Sequence, residues 1–140
     1  MVEVTHRLRV FVYSFRSRRP DYLLLRRDTG PESFWTPLQG RIGFGEQLEA
    51  AVQRELAEET GIVRAGELID LRMPQQLLLG DEQVVEWNFA ARAPLPETAL
   101  RLDPAWAAFR WVGFDEAFPS LELDSDRAAI LRLHTLLHPQ

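Results

Sequence analysis

A chain of 140 residues, 46% of them apolar, can bury one core of useful size, and a single domain over residues 1–140 is expected. The lack of cysteine excludes disulfides, thiolate metal sites and a cysteine nucleophile. A net charge of −5, with all 16 cations arginine, argues against tight binding along a nucleic-acid backbone. The absence of a long apolar run argues against a membrane span or leader, so a soluble cytoplasmic protein is expected.

From Leu8 to Phe15, branched and aromatic residues occupy both alternations, which predicts a strand buried on both faces. Ser17 to Pro20 breaks it. A second strand, Tyr22 to Arg26, lies between Pro20 and Asp28-Thr29-Gly30-Pro31, and the two are expected to pair as a hairpin. Phe34 to Gly45 holds Pro37, Gly40, Gly43 and Gly45, and reads as an ordered loop. Good helix formers then run from Gln47 to Thr60, and Gly61 stands where a C-terminal cap belongs.

Strand-like runs follow at Glu67–Leu71, Gln76–Leu79 and Val84–Ala91, with Gly80-Asp81 as a turn. Prolines make Ala93–Ala105 a loop, ahead of a short strand at Phe109–Val112. Asp124-Ser125-Asp126 offers an N-cap for a last helix that places Ile130, Leu133 and Leu137 on one face. This order predicts an α+β fold, a mixed sheet with helices on either side.

The helix from Gln47 to Thr60 carries the chemistry. At about 100° per residue, Glu55, Glu58 and Glu59 fall within about a third of its circumference. Leu48, Val52 and Leu56 form an apolar stripe, and Glu55 and Glu59 lie beside it, not opposite. Most glutamates on an amphipathic helix form a solvated face. Three of them crowded at the negative end of the helix dipole cost stability, which a bound divalent cation would relieve. Oxygen ligands suit hard ions, Mg2+ or Mn2+, held jointly by protein carboxylates and substrate phosphates.

Gly40, five intervening residues, Glu46, seven intervening residues and then Arg54-Glu55-Leu56-Ala57-Glu58-Glu59-Thr60-Gly61-Ile62 match every defined position of the Nudix box, so the chain resembles the Nudix hydrolases. FWTPLQG before the box and FRWVGF before the last helix extend the likeness. The resemblance implies a Nudix-like α/β/α sandwich and a pyrophosphohydrolase that releases a nucleoside monophosphate. It further implies metal ligation by Glu55, Glu58, Glu59 and the Gly40 carbonyl, with Glu46 and Arg54 orienting those carboxylates. Glu58 or Glu59 would take a proton from the attacking water, and Arg54 supports them.

Two departures stand out. Many members carry an acid where this chain has Gly43, and another in the loop that here reads Asp103-Pro104-Ala105-Trp106, leaving Asp103, Glu82 and Glu86 as available acids. Arg26, Arg27 and Arg41 are candidates for substrate phosphates, and Trp35, Trp87 and Trp106 for stacking on a base, although strand aromatics are more often core. His6, His134 and His138 show no metal or triad spacing. The expected partner is a small phosphorylated compound: a nucleoside polyphosphate, a nucleoside-diphosphate-linked compound or dihydroneopterin triphosphate. A nucleotide sensor without turnover is the competing reading. Oligomeric state is left open, a homodimer included.

Overall fold

The computed structural model describes residues 3–28, 30, 33–94 and 100–137. Part of the expected Ala93–Ala105 loop, at 95–99, lies outside them, as do Thr29, Pro31 and His138. Among the described residues, seven strands form one mixed sheet and three helices flank it.

The spine is β1 (Glu3–Arg16), with β6 (Glu82–Arg92) beside it in parallel from Glu3↔Glu82 to Tyr13↔Arg92. On its other side β1 divides its partners. Its C-terminal half pairs with β2 (Arg19–Arg26), and Arg7–Val10 pair with β3 (Leu38–Arg41). Beyond β6, β4 (Leu68–Asp70) and β5 (Gln75–Leu79) share its free edge. β7 (Ala108–Gly113) closes the edge next to β2. The helices are α1 (Leu48–Thr60), α2 (Phe114–Ser120) and α3 (Asp124–Leu137). No helix among the described residues is long and apolar enough to cross a membrane.

Alternation along β1 builds two cores. Leu8, Val10 and Val12 join Ala51, Val52 and Leu56 of α1 on one face, while Phe11 and Tyr13 join Ala117 of α2 and Ala129, Ile130 and Leu133 of α3 on the other. The strand is therefore buried on both faces, as its composition demands. The stripe expected on α1 is the one that packs, with Leu48 at its margin. Gly61 caps α1 in the left-handed region at φ 79°, its N–H donating to the Ala57 carbonyl.

Four expectations are corrected. The break at Ser17–Pro20 is only a two-residue turn, with Ser17 and Arg18 both at positive φ, and Pro20 already pairs with Phe15. The Phe34–Gly45 segment contains a strand, β3, because Leu38 fills the first core and the backbone completes the β1 ladder. Helix α2 has no counterpart in the sequence reading, being one short stretch with Pro119 inside it. Asp126 does not cap α3: it lies within the first turn, fully buried, and its carboxylate receives Arg9 Nε at 2.7 Å and Nη2 at 2.6 Å. A buried guanidinium demands such a partner, and this one fastens α3 to the sheet. Arg9 Nη2 also donates to Thr36 Oγ1 at 2.8 Å, and Glu86 lies 3.5 Å from Nη1.

Candidate functional site

The site forms where β3 ends against the middle of α1. Gly40 is there for want of room. A Cβ at this position would lie 2.5 Å from Glu55 Cγ, so only a hydrogen lets the strand and the buried glutamate approach so closely. Glu55 Oε1 accepts the Arg41 N–H at 3.2 Å and Arg54 Nη1 at 2.8 Å, while Oε2 lies on the Gly40 side.

Arg54 pins the loop after β3 to the helix. Its Nε donates to Glu46 Oε2 at 2.8 Å, and its Nη2 donates to Glu46 Oε1 at 2.9 Å and to the Arg41 carbonyl at 2.7 Å. Glu46 Oε1 also accepts the Gly43 N–H at 2.8 Å, closing the loop on itself. Arg54 first, and then this backbone N–H, hold the Glu46 carboxyl down at about 2. The same pairing raises Arg54 further above its ordinary value.

A cleft of about 320 Å³ opens beside this pin, lined by Gly40, Glu55 and Glu59 together with Arg7, Arg27 and Arg41. Glu59 carries more negative surroundings than it can use. Burial raises its pKa first, followed by the charges of Asp103 and Glu55, while Arg27 opposes them. Asp103 is held near by its own N–H, which donates to the Glu59 carbonyl at 2.9 Å, and its Oδ1 accepts the Ala105 N–H at 2.8 Å.

The sequence candidates divide accordingly. Glu55, Glu59, Gly40 and Arg41 are brought together in the cleft, with Arg54 and Glu46 directly behind them. Glu58 stays on the helix surface, its side chain 60% exposed and 3.3 Å from Arg54 Nη1. Arg26 and Trp35 stand apart from the cleft: the guanidinium lies 4.9 Å over the indole, which packs against the second core. Arg27 faces the cleft instead, braced 4.2 Å over the Trp106 ring. Arg26 ends β2 and Arg27 lies just past it, where the chain leaves the sheet, so one step of sequence separates the two arginines' roles. Arg7, also in the cleft, gave no sequence signal beyond its charge, since only the β1–β3 register brings it beside Arg41.

Among the described residues no three acids converge into a ready cation cage. The donor set nevertheless fits a hard cation. It is made of oxygen, Glu55 and Glu59 both line the cleft, and a positive charge would offset the burial and the carboxylate repulsion that together raise Glu59. Glu58, one residue from Glu59, is an exposed side chain of the kind that changes rotamer on a nanosecond scale.

The sequence profile described as NUDIX domain matches residues 5–134. A bis(5'-nucleosyl)-tetraphosphatase [asymmetrical] of Rattus norvegicus is 32% identical over 123 residues, covering 84% of this chain and 80% of that protein. An octanoyltransferase of Myxococcus xanthus is 37% identical over 114 residues, 79% of this chain, which spans only 31% of that longer protein. The solved dihydroneopterin triphosphate pyrophosphohydrolase of E. coli has the same fold, with a TM-score of 0.77 at 21% identity, covering 96% of this chain and 99% of that one. With the profile covering nearly all of the sequence and the tetraphosphatase 32% identical over most of both chains, the chain belongs to the Nudix family of hydrolases.

Proposed function

We propose that this chain is a divalent-cation-dependent pyrophosphohydrolase, acting in the cytoplasm on a nucleoside polyphosphate and releasing a nucleoside monophosphate. The observation that carries this reading is the cleft itself. Two carboxylates, Glu55 and Glu59, and three arginines, Arg7, Arg27 and Arg41, line it together. Such a cleft suits a polyphosphate held both by carboxylate-bound cations and by guanidinium groups. The bis(5'-nucleosyl)-tetraphosphatase likeness supports substrates in which a phosphate chain bears a nucleoside.

Glu55, Glu58 and Glu59, with the Gly40 carbonyl, would hold Mg2+ or Mn2+. When bound, the cation neutralises the phosphoanhydride and lowers the pKa of water at the site. The chain's own residues do the rest. Arg54 and Glu46 fix the loop on which Gly40 and Arg41 sit. Arg7, Arg27 and Arg41 draw the phosphate chain along the cleft and balance charge on the leaving phosphate. Glu59, beside Glu58 at the end of α1, accepts the proton of the attacking water.

A panel of nucleoside triphosphates, dinucleoside polyphosphates and dihydroneopterin triphosphate, each incubated with Mg2+, Mn2+ or EDTA, tests the reading. Monophosphate release should need the cation and fall by roughly a hundredfold or more in Glu59→Gln with the melting temperature preserved. Undiminished turnover in EDTA or in Glu59→Gln would refute it. Tight binding without turnover on any member would favour a sensor.

A further inference from the structure

Arg27 lines the cleft with Glu59, and its charge and that of Asp103 both act on the Glu59 carboxyl, yet among the described residues Arg27 forms an ion pair with neither acid. A long, flexible cationic side chain beside two carboxylates would ordinarily close on one of them. The group that holds it elsewhere is the indole of Trp106, whose ring centroid lies 4.2 Å from the guanidinium carbon.

Trp106 is itself fixed from several directions. Its ring belongs to the core beneath α1 and is only 5% exposed, too buried to stack on a substrate base. Its N–H donates to the Asp103 carbonyl at 2.9 Å, and the Ala107 N–H donates to the Arg26 carbonyl at 2.8 Å. Upstream, the Arg101 and Asp103 N–H groups donate to the Thr60 and Glu59 carbonyls, both at 2.9 Å. The segment 101–107 thus ties the end of α1, which carries Glu59, to the end of β2, which precedes Arg27. The indole Nε1–H is buried with no acceptor among the described residues. Such a donor costs stability that phenylalanine or leucine would not, so the property in use is the ring face.

We infer that Trp106 is a positioning residue that holds Arg27 off Glu59 and Asp103, keeping the guanidinium open to a phosphate and the carboxylates open to a cation. This inference rests on the cation-dependent polyphosphate reading above. Without the indole, Arg27 closes on Glu59 and occupies the place of the cation.

The test reads Mn2+ binding to the protein alone, from the loss of the free-ion paramagnetic resonance signal. Trp106→Leu should weaken binding by about tenfold, and adding Arg27→Gln to it should restore binding to the wild-type value or tighter. A lost packing contact is not repaired by removing an arginine, so this reversal separates positioning from a purely structural role. Should Trp106→Leu fail to fold, Trp106→Phe, whose ring face holds a cation less firmly, should show a smaller loss reversed in the same way. Unchanged Mn2+ affinity in the tryptophan variants, a loss that Arg27→Gln does not reverse, or a wild-type protein that binds no Mn2+ overturns the inference. Because turnover is not read, the outcome is distinct from that of the hydrolase reading. A reversible loss supports positioning even if no compound is cleaved, and an unchanged affinity overturns it even if several are.

Discussion

Two arginines on opposite faces of the sheet sit among acids and do opposite work. Arg9 is sealed: its side chain is 6% exposed, that of Asp126 is 0%, and the pair joins α3 to β1. Arg54 is open, its side chain 35% exposed and its partners ranging from 9% for Glu55 to 60% for Glu58. The sealed pair excludes water and ligand alike, so it serves the fold. In the open cluster Glu58 and, in part, Glu46 keep contact with solvent while Glu55 stays buried, and Arg54 ties the Arg41 carbonyl and Glu46 of the loop after β3 to the helix. Solvent access separates a clamp from a site.

The contrast is broken most severely from the sealed side. Asp126→Ala leaves the Arg9 charge buried without its main partner and should lower unfolding free energy by about 3–5 kcal/mol, read from the urea midpoint. The double variant Arg9→Met, Asp126→Leu should recover most of that loss, since apolar residues of similar size often replace a buried pair without penalty. A single variant as stable as the wild type would show that the pair contributes nothing to stability.

From the open side the effect should appear in activity. Arg54→Lys keeps the charge but cannot reach Glu46, Glu55 and the Arg41 carbonyl together. It should raise the Mg2+ concentration needed for half-maximal turnover by roughly 10–100-fold, with a melting temperature within a few degrees of wild type. Equal losses of stability and activity would mean that Arg54 too is a clamp.

The smallest effect sharpens the contrast through pH. Burial pushes the Tyr22 phenol well above its usual range, and its hydroxyl meets His134 Nδ1 at 2.7 Å on the α3 side. A raised acid contributes stability that is present below its unfolded pKa, near 10, and is lost as pH climbs beyond it. Unfolding midpoints should therefore fall above pH 10, and less steeply in Tyr22→Phe. An identical alkaline slope in the variant would assign the loss to another group, Tyr13 being the next candidate.

What could be read in the sequence follows the distance over which each signal acts. The acids of α1 and its capping glycine were legible because helical spacing alone groups them. β1 was legible because its composition states that both faces are buried. β3 was not: four residues between a proline and a glycine become a strand only when β1, some thirty positions earlier, supplies the ladder. Asp126 carried a capping pattern, and its partner 117 positions away overrode it. Arg26 and Arg27 differ by one step, the last rung of β2 and the first residue beyond it, a boundary that the sequence does not mark. His6 and Trp87 lie 81 positions apart and are joined only by the parallel pairing of β1 and β6.

The space at Gly40 has a consequence of its own. Its backbone is an ordinary strand rung, so any residue could adopt the conformation; what position 40 forbids is bulk. A single methyl there would act as a wedge between sheet and helix and evict Glu55 from its place while leaving every acid in the sequence. The proposed catalytic centre would thus be dismantled at a position that bears no functional group, by the smallest side chain there is.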